Sequence, residues 1–444
     1  MSASDSRPSR RPVSQRATAP AHNLGDLTKL CDPYTPLQPE EKALHEDLAP
    51  TRGGNRLDKI VRNIRRAGGT PTLHFLTGHL GSGKTTELLA MSQRLARRDE
   101  QGEALHVLFV DADAMLDQAD VELEDLLVAV WHVVAAHSSS AAEKALSPIW
   151  RDQIKKTIDD TKFHFPSALI SALPELLSFL RRAPSEERKK LRGAIGSVSG
   201  AFIRGLNESF EVLRSSDGDV AEVAILIDNL EKLNPVDRAP VERLYLERMV
   251  ALKELDVHLV ITVPLYLVYS AAGASLTALY GGEVVTLPMV KVRKSRAQGG
   301  GDHEDGVELL AELLERRVDF AQLFEGGHEA AREIARRSGG CIRHALRLVV
   351  GAANECDDPP VPRTAVDRAT TILRGDFERA LPESLIPALR RIQEENRFPT
   401  DLDENQKRDL LRHLIVLEYQ NGDPEPWWAV HPLVLQCRKY QQGA

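Results

Sequence analysis

Residues 78–85 read Gly-His-Leu-Gly-Ser-Gly-Lys-Thr, a glycine followed by four variable positions and then Gly-Lys-Thr. This spacing is the pattern of a phosphate-binding loop, or P-loop. The apolar run 73–77 before it fits a buried parallel strand, and residues 85–98 after it carry apolar side chains at helical spacing. A strand, a glycine-rich turn and a helix in this order direct free backbone N–H groups and a helix dipole at one anion. The alternative, an ordinary glycine-rich turn before a helix, does not explain both flanking elements.

The residue types in this loop predict how a nucleoside triphosphate is held. Glycines let the backbone approach phosphate oxygens without a Cβ in the way. Lys84 is expected to contact the β- and γ-phosphates, and the Thr85 hydroxyl is expected to contact Mg²⁺. The predicted nucleotide-binding residues of the loop are Gly78, Gly81, Ser82, Gly83, Lys84, Thr85 and Thr86.

The composition sets wider limits. At 444 residues the chain is expected to form roughly two or three domains. Its formal net charge of -8 argues against a generally basic nucleic-acid binder but leaves room for a local basic patch. No apolar run is long enough to span a bilayer, so no membrane partner is expected. The run 126–136 fits a buried helix instead.

Other features of the composition point to a cytoplasmic protein. Residues 1–22 lack the apolar segment of a secretory signal, and we predict a disordered arm over residues 1–30, with a weak basic tether as the alternative. The scattered cysteines lack paired metal spacing and are interpreted as reduced thiols; they are Cys31, Cys341, Cys356 and Cys437.

Four more buried strands are predicted after the P-loop helix, at residues 105–110, 221–227, 257–261 and 283–292. The first ends in Asp111 and Asp113, which either face a ligand at the carboxyl edge of the sheet or cap the next helix. The second ends in Asp228, as a Walker B strand does, and its carboxylate is expected to support Mg²⁺. The third ends in Thr262, which is positioned to touch a γ-phosphate or an attacking water.

The remaining segments predict the domain organisation. Residues 31–293 form a P-loop ATPase core with a helical insertion at about 138–218, whose charge clusters 181–182 and 188–190 are either a partner surface or solvated helix faces. Residues 294–306 are predicted to be a linker and residues 307–358 a helical lid. In residues 359–444, three helices precede a hairpin that pairs 416–420 with 427–431 across the turn 421–424, which predicts a winged-helix domain.

With these features placed, the chain resembles the branch of AAA+ ATPases that contains origin-recognition initiators and STAND signalling NTPases. The resemblance covers about residues 45 to 440. It depends on residues 78–88, on Ile-Leu-Ile-Asp-Asn-Leu-Glu-Lys-Leu at 225–233, on Ile-Thr-Val-Pro at 261–264, on Ser-Gly-Gly-Cys-Ile-Arg at 338–343 and on Val-His-Pro-Leu-Val at 430–434. It implies an α/β P-loop NTPase with a parallel sheet, followed by a helical lid and a C-terminal winged-helix domain.

The resemblance also implies roles for single residues. Lys84 and Thr85 match the Walker A pair, Asp228 the Walker B acid and Thr262 the sensor 1 position. Arg343 matches the lid arginine that reads the phosphate state, and Arg52 matches an arginine beside the adenine pocket. His431 resembles the winged-helix histidine that contacts the β-phosphate of ADP in some STAND proteins, although Pro432 replaces the family's aspartate. The alternative for His431 is a core position beside the wing tryptophans.

One departure from the family bears on catalysis. Many AAA+ enzymes have a glutamate directly after the Walker B aspartate, where this chain has Asn229. Glu231 resembles a second acid of STAND sequences and could orient water, or it could pair with Lys232. Slow hydrolysis is therefore expected. The candidates for an arginine finger are Arg243 and Arg248.

The expected function is a regulatory ATPase with ATP or ADP and Mg²⁺ as ligands. By analogy, we expect ADP to hold a closed form, ATP to favour self-association, and a separate effector protein to act in bacterial signalling or antiphage defence. The alternative is a DNA-associated initiator or loader. The acidic residues Glu418, Asp423 and Glu425 in the wing disfavour DNA as a partner, because they would repel phosphates. A third alternative is that the nucleotide is purely structural and that the insertion is a scaffold.

Overall fold

The computed structural model describes residues 18–98, 104–138, 140–141, 173–216, 220–233, 238–282, 284–422 and 425–442. Their backbone contacts divide the chain into two compact units. The first unit comprises residues 59–76 and 88–285, and the second comprises residues 18–58, 77–87 and 286–442. The P-loop residues therefore group with the C-terminal half of the chain, and this division differs from the predicted core at 31–293.

A five-stranded sheet organises the first unit, with the strand order β2-β3-β4-β1-β5. The strands are β1 Leu73–Thr77, β2 Ala104–Asp111, β3 Val220–Asp228, β4 His258–Thr262 and β5 Val284–Thr286. β4 lies between β1 and β3 and runs parallel to both. Its residues are all buried, as expected for a parallel strand covered on both faces.

Helices surround this sheet, and their labels here follow chain order. They are α2 Leu57–Arg66, α3 Lys84–Ala96, α4 Ala112–Met115, α5 Leu123–His137, α6 Leu173–Arg182, α7 Ser185–Ser197, α8 Ser199–Ser216, α9 Arg238–Arg243, α10 Leu265–Val268 and α11 Ala271–Tyr280. The prediction of a buried helix at 126–136 is confirmed by α5, where Trp131 packs edge-on against Phe202 of α8. Of the predicted insertion, residues 139, 142–172 and 217–218 lie outside the described part.

The helical segment between β3 and β4 is irregular. After α9 the chain makes a π-helical turn at Leu244–Arg248 and a 3₁₀ turn at Met249–Glu254. The π-helical turn contains Tyr245, which is fully buried and donates its hydroxyl to the Thr262 carbonyl, 2.7 Å away. This hydrogen bond attaches the irregular turn to the end of β4.

The second unit has its own apolar core. It contains α1 Leu24–Leu30, the lid helices α12 Glu304–Glu315, α13 Phe320–Leu323, α14 His328–Arg337 and α15 Ile342–Ala353, and then α16 Arg363–Ala380, α17 Ile386–Glu395, α18 Glu404–Arg412, β6 Val416–Gln420, β7 Pro426–Val430 and α19 Arg438–Gln442. β6 and β7 form the antiparallel hairpin of the wing, with Val416 opposite Val430. Residues 423 and 424 of the predicted turn lie outside the described part.

Two predicted irregular segments contain regular structure. In the predicted disordered arm, residues 24–30 form α1, whose first turn is capped by Asn23, so this part of the prediction was wrong. Residues 1–17 of the arm lie outside the described part. The predicted linker contains a 3₁₀ turn at Arg296–Gln298 and already enters α12 at Glu304. Within the described ranges, no helix has both the length and the apolarity for crossing a bilayer.

Candidate nucleotide-binding loop and its surroundings

The P-loop follows β1 directly and is closed around its own lysine. Gly81 and Gly83 have φ angles of 82° and 95°, which glycine adopts without the cost that a side chain would add. The Lys84 ammonium donates hydrogen bonds to the carbonyls of Gly78 and His79, at 2.9 and 3.0 Å. Lys84 is only 5% exposed, so its charge is held within the loop.

Several buried polar atoms near the loop make no hydrogen bond within the described structure. They are Ser82 Oγ in the loop, Arg52 Nε and Arg343 Nε. Leaving a buried polar group unsatisfied costs about 1–3 kcal/mol, so such groups call for a ligand or water. Donors of this kind, two of them cationic, fit an anionic ligand such as a triphosphate.

Arg52 lies against the loop from the N-terminal segment of the second unit. Its Nη2 donates to the Ser82 carbonyl at 2.5 Å, and its Nη1 lies 3.7 Å from the Glu87 carboxylate. Burial lowers the pKa of the Arg52 guanidinium to about 10, and the Glu87 charge opposes this shift. The structure thus places Arg52 beside the P-loop backbone, while its predicted adenine contact stays a prediction.

The predicted lid arginine is also brought to the loop. The Arg343 backbone N–H donates to the Gly81 carbonyl at 3.3 Å, and a Cβ on Gly81 would lie 2.6 Å from Arg343 Cβ. The Arg343 guanidinium lies 5.5 Å from the centroid of the Tyr34 ring, and Tyr34 is 69% exposed. The first turn of α15 therefore packs directly on the P-loop.

The Walker B segment belongs to the first unit, at the end of β3. Asp228 is fully buried there. The next residue, Asn229, has a φ of 63°, and its side-chain amide donates to Asp111 Oδ1 at 2.8 Å. The same oxygen accepts from the Asp113 backbone N–H at 3.1 Å, which confirms the capping alternative for Asp111. Asn229 is therefore used in a structural hydrogen bond.

Thr262 and Glu231 lie near the same turn. The Thr262 hydroxyl accepts from the Leu230 N–H at 3.0 Å and lies 3.4 Å from the Ile227 carbonyl, so it ties the end of β4 to the turn after β3. Burial raises the pKa of Tyr245 well above its usual value, and the nearby Glu231 charge adds to this effect. Lys232 pairs with Asp113 at 2.7 Å, and its pairing with Glu231 stays a prediction.

Both candidates for an arginine finger are ion-paired within the first unit. Arg243 Nη2 lies 2.6 Å from Glu122, and Arg248 Nη2 lies 2.6 Å from Glu124. Either residue would have to leave its carboxylate before it could act on a neighbouring subunit. The predicted partner surface is also partly engaged, since Arg188 pairs with Asp117 and Asp120.

The structure corrects the predicted phosphate contact of His431. Its Nδ1 accepts from the Leu433 N–H at 3.1 Å, and its Nε2 lies 3.0 Å from the Ser338 carbonyl and 3.1 Å from His344 Nδ1. Burial lowers the pKa of the His431 imidazole to about 3. Both ring nitrogens thus bond within the protein core, in agreement with the alternative prediction that His431 is a core residue. The aromatic rings beside it are those of His344 and Phe377.

One residue of this region makes contacts that no sequence pattern predicts. His79 occupies a variable position of the P-loop pattern, yet it is only 2% exposed and is hydrogen-bonded to the winged-helix domain. A histidine in a variable position gives no sequence signal, because its partners are backbone groups more than 300 residues away.

The parallel sheet, the loop between β1 and α3 and the acid that ends β3 define the fold. The chain has the fold of a P-loop NTPase. No family model matches it, and no curated protein matches it.

Among solved structures, the chain is similar to the Walker-type ATPase PABY2304 of Pyrococcus abyssi, with 15% identity, a TM-score of 0.41 and coverage of 86% of this chain and 94% of that one. It is similar to Cdc6p from Pyrobaculum aerophilum, with 14% identity, a TM-score of 0.36 and coverage of 91% and 97%. It is also similar to the Aeropyrum pernix Orc1 protein in complex with DNA, with 16% identity, a TM-score of 0.38 and coverage of 90% and 95%. Similarities of this size assign no role to the chain.

Proposed function

We propose that the protein is an ATP-binding regulatory ATPase that acts as a nucleotide-controlled switch. The observation that carries this proposal lies in the second unit, where the P-loop is hydrogen-bonded to both the lid and the winged-helix domain. Gly81 bonds to Arg343 of the lid, and His79 bonds to β6. A phosphate-binding loop held by two separate domains can convert nucleotide occupancy into a change of arrangement.

The ligands of the site are ATP or ADP with Mg²⁺. The P-loop residues Gly78, Gly81, Ser82, Gly83, Lys84, Thr85 and Thr86 would hold the phosphates, and Arg343 would add a positive charge from the lid. Thr85 and Asp228 would hold the metal ion, which neutralises phosphate charge when bound. The unsatisfied donors of Ser82, Arg52 and Arg343 support an anionic ligand.

Hydrolysis is expected to be slow. The position after the Walker B aspartate carries Asn229, which has no carboxylate and whose amide is bonded to Asp111. The remaining candidates for orienting water are Glu231 and Thr262, and the Thr262 hydroxyl is already bonded to Leu230. A slow cycle suits a timer or switch, because each nucleotide state then persists.

The biological setting follows only from the resemblance in sequence. We infer self-association on ATP binding and a separate effector protein, in bacterial signalling or antiphage defence. Light scattering with ADP and with a non-hydrolysable ATP analogue tests this switch. A larger mass with the analogue is expected, whereas equal mass in both states would contradict it.

Nucleotide turnover tests the enzyme itself. Wild type and Lys84→Ala should be compared for ATP binding and phosphate release, with Lys189→Ala as the control because Lys189 is 68% exposed and lies on α7. Slow release by wild type and by the control, and none by Lys84→Ala, is the expected result. Equal binding by all three without any release would contradict an ATPase.

The second candidate is a DNA-associated initiator or loader, and the observed helices and hairpin of the winged-helix domain favour it. Filter binding to duplex DNA at low and moderate salt separates the two functions. Tight binding that weakens steeply with salt would favour the initiator.

A further inference from the structure

The side chain of His79 joins the P-loop to two elements of the winged-helix domain. Its Nε2 accepts from the Glu418 N–H of β6 at 2.9 Å, and its Nδ1 lies 3.2 Å from the carbonyl of Leu411 in α18. Because a backbone N–H can only donate, Nε2 carries no proton. The proton therefore lies on Nδ1 and is donated to Leu411, so the neutral ring uses both nitrogens.

The hydrogen bonds around Glu418 form a closed circuit with the P-loop. The Leu287 N–H donates to the carbonyl of Thr77, the residue before the loop, at 2.8 Å. Two residues later, the Met289 N–H donates to the Glu418 carbonyl at 3.1 Å. The Glu418 N–H then returns to His79. The Glu418 N–H thus bonds to the loop and its carbonyl to Met289, and His79 supplies the only side chain in these three bonds.

The same residue also touches the phosphate-binding lysine. The His79 carbonyl accepts from the Lys84 ammonium at 3.0 Å, while its imidazole holds β6. A γ-phosphate would attract the Lys84 ammonium and compete with this carbonyl. The peptide of His79 would then be displaced, and the imidazole bonds, which depend on distance and direction, would weaken.

We propose that His79 is a positioning residue that couples nucleotide occupancy of the P-loop to docking of the winged-helix domain. In the closed arrangement its ring holds β6 and α18 against the loop. A bound triphosphate carries a γ-phosphate that the diphosphate lacks, so it weakens these bonds more strongly than a diphosphate does and releases the domain. This inference rests on the proposed function and specifies its regulation.

Amide hydrogen exchange of the β6 segment, residues 416–420, tests the proposal in the full chain. In wild type, this segment should exchange slowly with no nucleotide or with ADP, and about tenfold faster with a non-hydrolysable ATP analogue. In His79→Leu, which removes both ring nitrogens, exchange should be fast in all three states. His79→Gln, which keeps an acceptor and a donor, should restore part of the nucleotide dependence.

His413→Leu is the matched control, because His413 is an exposed histidine that follows α18 and its Nδ1 bonds to the Asp409 carbonyl of that helix. It should behave as wild type. Equal exchange rates in wild type and His79→Leu in every state would overturn the proposal. The same exchange rate in wild type with and without nucleotide, under conditions where ATP is shown to bind, would also overturn it. If His79→Leu does not fold, His79→Gln is compared with wild type; a weaker nucleotide dependence is then expected, and an unchanged one would overturn the proposal.

Nucleotide binding is measured separately by calorimetry, so the two proposals can fail independently. If wild type binds no nucleotide, the proposed function fails. The comparison of wild type with His79→Leu without nucleotide then still decides whether the ring holds β6. Unchanged exchange in the variant would remove the positioning role as well.

Discussion

The side-chain amide of Asn229 donates a 2.8 Å hydrogen bond to Asp111 Oδ1, across the neighbouring ends of β3 and β2. Asn229 has a φ of 63° and directly follows Asp228. Its short polar side chain suits both requirements, since asparagine tolerates this conformation and can bond locally. The residue is therefore explained by the geometry of the turn.

Replacement of Asn229 tests this explanation. Asn229→Ala loses the hydrogen bond and places alanine, which tolerates the left-handed region less well than asparagine, at this φ, so we expect a loss of about 1–3 kcal/mol in unfolding free energy. Asn229→Gly adopts the left-handed conformation without steric strain, so its loss of unfolding free energy should be smaller. Chemical denaturation measures both; a larger loss in the glycine variant would show that the conformation is not the cause.

Gly81→Ala tests the packing of the lid on the P-loop. The added Cβ would lie 2.6 Å from Arg343 Cβ, and the φ of 82° adds strain. We expect a loss of about 2–4 kcal/mol in stability, or displacement of the lid, from the clash and the strain together.

The matched control is Gly299→Ala, where φ is 90° but an added Cβ meets no atom within 4 Å. This variant should show only the conformational cost, about 1 kcal/mol. Thermal unfolding of the two variants measures the difference. Equal losses would mean that the contact with Arg343 costs nothing.

His431→Gln distinguishes a core role from a phosphate contact. Since both ring nitrogens bond within the second unit, we expect a loss of about 1–3 kcal/mol in stability. ADP affinity of the folded protein should stay within about threefold of wild type, which is about 0.7 kcal/mol. Calorimetric titration with ADP is the measurement, and a tenfold loss of affinity would restore the phosphate role.

Acid should destabilise the protein below about pH 6.5. Burial lowers the pKa of His79 and of His431 to about 3, and that of His74 to about 4. The unfolded state then binds more protons than the native state between these values and the ordinary pKa of 6.5. The unfolding free energy therefore falls with decreasing pH, by up to about 1.4 kcal/mol per pH unit for each histidine.

Chemical denaturation at about pH 7.5, 6.5 and 5.5 measures this dependence, because these values lie on both sides of the ordinary histidine pKa. His79→Gln should reduce the slope below pH 6.5, because it removes one titrating group. An unchanged slope in this variant would show that His79 is not protonated on unfolding.

Local sequence patterns predicted most of the fold. The P-loop spacing with its flanking strand and helix, and the alternation of buried strands with helices, are read from neighbouring residues. Four observed strands match the predicted bounds within one position, whereas β5 ends at Thr286 and the predicted strand at residue 292. The lid helices and the wing hairpin follow in the same way from apolar periodicity and turn residues. The predictions were wrong at α1 and in the linker, which are short segments. Their regular structure depends on contacts with residues elsewhere in the chain.

The amino-acid sequence by itself determined the P-loop, the order of the strands along the chain and the candidate Lys84, Thr85 and Asp228, because these depend on spacing within short segments. Only the tertiary structure decided that His431 serves the core and that His79 holds the winged-helix domain. Their partners are mostly backbone groups brought close by the packing of the second unit. Since every residue except proline offers the same backbone N–H and carbonyl, no pattern of side chains along the chain could have identified those partners.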